Sequence, residues 1–163
     1  MIVVISDTSV LCYLVQIGRI DLLKSLFEEI TIPGQVLAEC CHPGAPPSLR
    51  EKFSPPLLSF VRIAEVSEFL PETSTLDPGE AAAITLAWQH RSHSLLLLDE
   101  KRGRAIAASL GLQIRGVLGL VVEGHRRELL EFDPTITLLR SHGFRIAEPL
   151  LLAARGRLGL STD

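Results

Sequence analysis

Two stretches of this chain are apolar on both faces and stop abruptly at an acid: IVVIS, residues 2–6, before Asp7, and LLLL, residues 95–98, before Asp99. A strand with no alternation of apolar and polar residues cannot leave one face in water, so it belongs inside a parallel-type sheet covered by helices. The segments between the two runs supply those helices. Val10, Leu11, Leu14 and Val15 recur at helical spacing, with Thr8 and Ser9 offering hydroxyl caps, and Asp21 opens a shorter helix through Leu22, Leu23, Leu26 and Phe27. EITI at 29–32 reads as a strand, and Pro33 favours a helix over 34–41 that contains Glu39. The proline-rich residues 43–57 read as an exposed excursion with at most one helical turn, and residues 60–66 as a strand. Asp77 and Pro78 are placed to cap and open the helix that carries Glu80 and AAAITLAWQ. After Asp99 come the helical KRGRAIAASLG, a short strand at 112–114 and a mostly helical part from about residue 116. Strands alternating with helices imply an α/β fold with a mostly parallel sheet, spanning 1–163 as a single domain.

With 47% hydrophobic residues the chain has ample material for one core, which excludes a disordered polypeptide. No apolar stretch approaches the roughly 18 to 20 residues of a spanning helix, and no basic residue precedes the N-terminal run as in a secretory signal. A cytoplasmic protein with no membrane association is expected. Three cysteines do not make a disulfide framework, and the adjacent Cys40, Cys41 and His42 are too close in sequence to wrap one tetrahedral zinc; incidental or buried thiols, Cys12 included, are expected.

The net charge of −3 hides an asymmetry. Residues 1–80 carry five Lys/Arg against eleven Asp/Glu, a net −6, whereas residues 81–163 carry eleven against eight, a net +3. Carboxylates gathered to hold a divalent cation beside a basic surface for phosphates would give this pattern, and so would chance placement of solvated helix faces.

In an open α/β sheet ligands bind at the carboxyl ends of the strands, where Asp7 and Asp99 both stand. Placing an acid against a buried strand costs desolvation unless something compensates it. Each acid also has a plainer explanation: Asp7 can cap the helix after it, Asp99 the helix near Lys101, Glu80 can answer the dipole of its own helix, and Glu39 can point to solvent.

Taken together, ISDTSVL, IPGQVLAE, LDPGEAAAITLAW, LLLLDEKRGRAIAASLGL and GVLGLVV resemble the PIN-domain nucleases, and more closely the small prokaryotic PIN-like branch in which a Gly-Glu-Ala helix start precedes the last acidic strand end. The resemblance runs from about Ile2 to Leu130 and continues in GFRIAEPLL. It implies a three-layer α/β/α fold and cleavage of RNA with Mg²⁺ or Mn²⁺. By motif match Asp7, Glu39, Glu80 and Asp99 are the catalytic, metal-holding acids; Glu100, next to Asp99, is either an alternate or additional ligand or a solvated helix-start residue. Glu80 departs from the toxin members, which usually carry Asp there. Thr8 and Ser9 would support a metal-held water or a phosphate oxygen, and Lys101, Arg102 and Arg104 would engage the RNA backbone. A small antitoxin partner, as in toxin–antitoxin pairs, and a homodimer are also implied by resemblance. Independently of the family, hard cations favour carboxylate oxygens, and a cluster of three or four acids suits one or two of them.

An aspartyl-nucleophile phosphatase would fit Asp7, but the second Asp of that pattern is replaced by Ser9; a receiver domain would need an acidic pair near the first strand, where one acid stands. The alternative from another class is a catalytically inactive PIN-like module that binds RNA or protein.

Overall fold

A computed structural model describes residues 1–161. Its sheet has five strands, β1 (Val3–Ser6), β2 (Ile30–Pro33), β3 (Val61–Ala64), β4 (Ser94–Leu97) and β5 (Ile114–Arg115), in the order β3-β2-β1-β4-β5. Every pairing is parallel. The two apolar runs are the central neighbours: Val3 pairs with Ser94 and Ser6 with Leu97.

Alternate residues of these two strands serve opposite faces. Val4, Leu95 and Leu97 enter the larger core, while Ile5, Leu96 and Leu98 enter the smaller one. Helices α1 (Thr8–Gln16), α2 (Asp21–Phe27), α3 (Gly34–Cys40) and α4 (Pro47–Phe53) contribute to the larger core. So do α7 (Val117–Arg126), α8 (Phe132–Ser141) and α9 (Glu148–Arg157). The smaller core is closed by α5 (Pro78–Gln89) and α6 (Lys101–Ser109). This is the three-layer α/β/α arrangement that an alternation-free strand demands. Ala81, Ala82 and Ala83 are buried, and their small side chains let α5 lie close on β1, β2 and β4. Among the described residues no helix is long and apolar enough to cross a membrane.

The excursion expected over residues 43–57 is more ordered than the prolines suggest. Pro47 stands in the first turn of the seven-residue α4, where a missing N–H costs nothing, and the remaining SLREKF is free to wind. Leu49 and Phe53, four apart on one face, are each 1% exposed. The expected strand at 112–114 forms later, at Ile114–Arg115, because Leu112 turns into the smaller core.

The strand order also fixes where a site can be. From β1 the chain moves outward through β2 and β3, then crosses back to β4 and β5 on the other side. The reversal leaves a crevice at the carboxyl ends of β1 and β4. Because α4 builds the outer wall of that region from buried apolar residues, Phe53→Ala is expected to cost about 3–5 kcal/mol in urea unfolding. A loss below about 1 kcal/mol would mean that α4 is a solvated loop.

Candidate active site

Asp7 follows β1 directly, and its backbone N–H extends the ladder to Leu97 O at 3.2 Å. Its side chain caps α1, accepting from Val10 N at 3.2 Å and from the Ser9 hydroxyl at 3.1 and 3.0 Å. The residue is 3% exposed. No ion pair reaches it among the described residues. Burial pushes its carboxyl up to about 7, opposed by the Val10 and Ser9 hydrogen bonds and reinforced by the charges of Glu80 and Asp99.

Glu80 lies in the first turn of α5 and is half-buried. Its carboxyl is also raised to about 7, by burial first and then by Glu100, Asp77 and Glu39, with Arg102 acting in the other direction. Glu39 reaches across from α3, accepting from the Thr8 hydroxyl at 2.5 Å and from Gly79 N at 2.8 Å. It thereby satisfies a free N–H in the first turn of α5, while Asp77, at the cap position, makes no side-chain cap bond. Asp99 does not cap α6, the helix that follows it. Both its oxygens accept from Val117 N, at 3.2 and 3.0 Å, which holds it to the start of α7. Burial raises its pKa, and the Val117 N–H and Arg104 counter part of the rise.

The starts of α1, α5 and α7 thus meet at one edge of the sheet, and an N–H from each holds one of the acids. Three glycines make the fit possible. A Cβ on Gly79 would collide with the carboxylate of Glu39, one on Gly103 with that of Glu80, and one on Gly116 with that of Asp99. These positioning residues are missed when the sequence is read for acids alone. The available signal was Gly103, a glycine inside an otherwise helical pattern.

A cleft of about 880 Å³ opens over Asp7, Thr8, Ser9, Glu39, Glu80 and Glu100. Asp99 is not among its lining residues. Of the three expected RNA-binding cations, Arg102 lines the cleft; Arg104 acts instead on Asp99, and Lys101 is exposed outside it. Gln35, unmarked in the sequence, and His42, weighed there only as a zinc ligand, also line the cleft; Gln35 Nε2 donates to Val66 O at 2.8 Å, and among the described residues its buried Oε1 has no partner. All three cysteines are free, and burial pushes the Cys40 thiol up to about 12.

Among the described residues, no group of three or more acidic, histidine or cysteine side chains is placed to hold a metal ion as it stands. Glu39 and Asp99 spend their oxygens on Thr8, Gly79 and Val117. The donor chemistry nonetheless fits a hard cation: the acids offer only oxygen, and Asp7 and Glu80 lack a cationic side-chain partner among the described residues.

Two measurements follow. Between about pH 4 and about pH 7 folded Asp7 keeps a proton that the unfolded chain has shed, so its contribution to stability is full below the unfolded value and lost as pH rises through about 7. In metal-free protein the gain in melting temperature from Asp7→Asn should therefore grow from about pH 5 to about pH 8, and a gain that stays constant would contradict the buried, unpaired acid. Gly116→Ala should destabilise by about 1–3 kcal/mol through overpacking against Asp99. Gly156→Ala on α9, where a Cβ meets nothing within 4 Å, is the control and should instead leave stability unchanged or raise it by up to about 1 kcal/mol.

Comparison with known proteins places this geometry in a lineage. The family profile DUF3368, described as a PIN domain, matches residues 3–159. Among solved structures, a PilT N-terminus domain protein from the hyperthermophilic archaeon Sulfolobus solfataricus P2 shares the fold, with a TM-score of 0.51 and 19% identity. The match covers 74% of this chain and 90% of that one. A comparison with curated proteins finds no match. With nearly its whole length matched and its acids gathered at the sheet's switch point, the chain belongs to the PIN domain family.

Proposed function

We propose that this PIN-domain protein is a metal-dependent endoribonuclease that hydrolyses RNA phosphodiester bonds in the cleft above Asp7 and Glu80. PIN domains are typically nucleases and generally use divalent metal ions. The observation that carries the reading for this chain is the pair Asp7 and Glu80, two acids raised to about 7 by burial and by neighbouring carboxylates, with no cationic side chain paired to either among the described residues. Such charge is tolerated when a bound cation replaces the missing partner.

Asp7, Glu80 and Asp99 would hold the ion, with Glu39 and Glu100 as further oxygen donors. Mg²⁺ or Mn²⁺ bound there would act as a Lewis acid and lower the pKa of a coordinated water. The chain's own part is orientation. Ser9 and the Val10 N–H hold the Asp7 carboxylate, Val117 N–H holds Asp99, and Thr8 with Gly79 N–H holds Glu39. Arg102 on the cleft wall, with Lys101 and Arg104 on the same helix, would draw the phosphate backbone in. A toxin role with a small antitoxin and homodimerisation belong to the same proposal and rest on resemblance; cytoplasmic residence rests on the sequence's lack of a spanning stretch or secretory signal.

Incubating a structured RNA with wild type in Mn²⁺, in Mg²⁺ and in chelator tests the reading. Cleavage is expected with metal only. Second-sphere substitutions at metal sites cost about 10–100-fold, so Asp7→Asn and Asp99→Asn should each lose at least ~100-fold. Equal cleavage by all three proteins would sink the carboxylate mechanism; RNA binding without cleavage by wild type would favour the inactive binding module.

A further inference from the structure

A second cleft, about 870 Å³ and so nearly as large as the first, is lined by Arg19, His125, Arg126, Glu128, Glu131 and Arg157 among others. It is remote from the acids. Helix α7 runs for ten residues from Val117, whose N–H holds Asp99, to Arg126, a length of roughly 15 Å. Arg19 likewise lies beyond the far end of α1, the helix that Asp7 caps.

The charges in this cleft are not spent on one another. Among the described residues neither Glu128 nor Glu131 forms an ion pair, although three guanidinium groups share their cleft. Arg19 donates only a long 3.4 Å bond to Leu129 O, Arg126 approaches Glu123 at 3.8 Å, and Arg157 makes no hydrogen bond or ion pair among the described residues. His125 has a fixed role. Its Nδ1 accepts from Phe132 N at 3.1 Å, so in the neutral ring Nε2 carries the proton and acts as a donor.

The geometry points to a remote ribonucleotide subsite, in which Arg19, Arg126 and Arg157 take backbone phosphates of an RNA strand while Glu128 and Glu131 accept from ribose hydroxyls or base amines. Guanidinium groups are suited to phosphate, and the exposed carboxylates can accept from the hydroxyl and amine donors that ribonucleotides provide. An acidic peptide would bring carboxylates for the arginines but only backbone N–H groups for Glu128 and Glu131, whereas each ribonucleotide pairs its phosphate with 2′-hydroxyl and base donors. The subsite rests on the ribonuclease reading and gives it a substrate class: strands long enough to span both clefts. At ~3.4 Å per stacked nucleotide even the direct span takes about five nucleotides.

The test compares wild type with an Arg19→Gln/Arg126→Gln/Arg157→Gln triple variant, using Arg127→Gln as a control outside the cleft. Binding of a long single strand and of a trinucleotide is measured in chelator, and cleavage of both in Mn²⁺. The triple variant should bind the long strand about tenfold or more weakly, with a salt slope smaller by roughly 0.7 for each phosphate it no longer neutralises. Its trinucleotide cleavage and its melting temperature should match wild type, and Arg127→Gln should match wild type throughout. If wild type cleaves the trinucleotide but binds the long strand no better than the triple variant, the subsite is overturned alone. If wild type neither binds nor cleaves any RNA, the ribonuclease reading fails and the subsite with it.

Discussion

The arrangement depends on one costly placement: a carboxylate, that of Asp7, buried at the end of a central strand without a cationic side chain beside it. Most proteins neutralise such a group with Arg or Lys. Here the compensation comes from backbone. Val10 N–H answers Asp7, Gly79 N–H answers Glu39, and Val117 N–H answers Asp99, each at the start of a helix. Partial charges of this kind hold the acids in place without neutralising them, which leaves room for an external cation. A lysine in the same position would stabilise the protein and fill the site.

The parts of the fold that follow from covering apolar strands were legible in the sequence. IVVIS and LLLL had to be central, and the helical spacing between them had to supply two layers. The stretch where Pro46 and Pro47 stand was less legible, because proline marks a break and a helix start equally well; the burial of Leu49 and Phe53 decides between them. The site was legible to the level of its acids but not of their partners. The plainer explanation that sequence offered for Asp99 was a cap on the helix following it, whereas its hydrogen bonds go to Val117, eighteen residues on. A long-range bond of this sort has no local signature.

The glycines show why a set of acids falls short of a site. Gly79, Gly103 and Gly116 are needed for the space they leave, and each belongs to a different helix start from the acid it accommodates or to a neighbouring turn. Close packing makes such positions as restrictive as the acids themselves.

The pairing of β1 with β4 has a consequence for the order of events during synthesis. Residues 3–6 leave the ribosome well before residues 94–97, so one flank of their strand stays open until those have emerged, and the Asp99 anchor waits further for Val117. Contacts this distant in sequence form late. A nascent chain therefore carries Asp7 and Glu39 without a closed cleft until the segment up to Val117 has emerged, so the acids come together only after their own helices have been made.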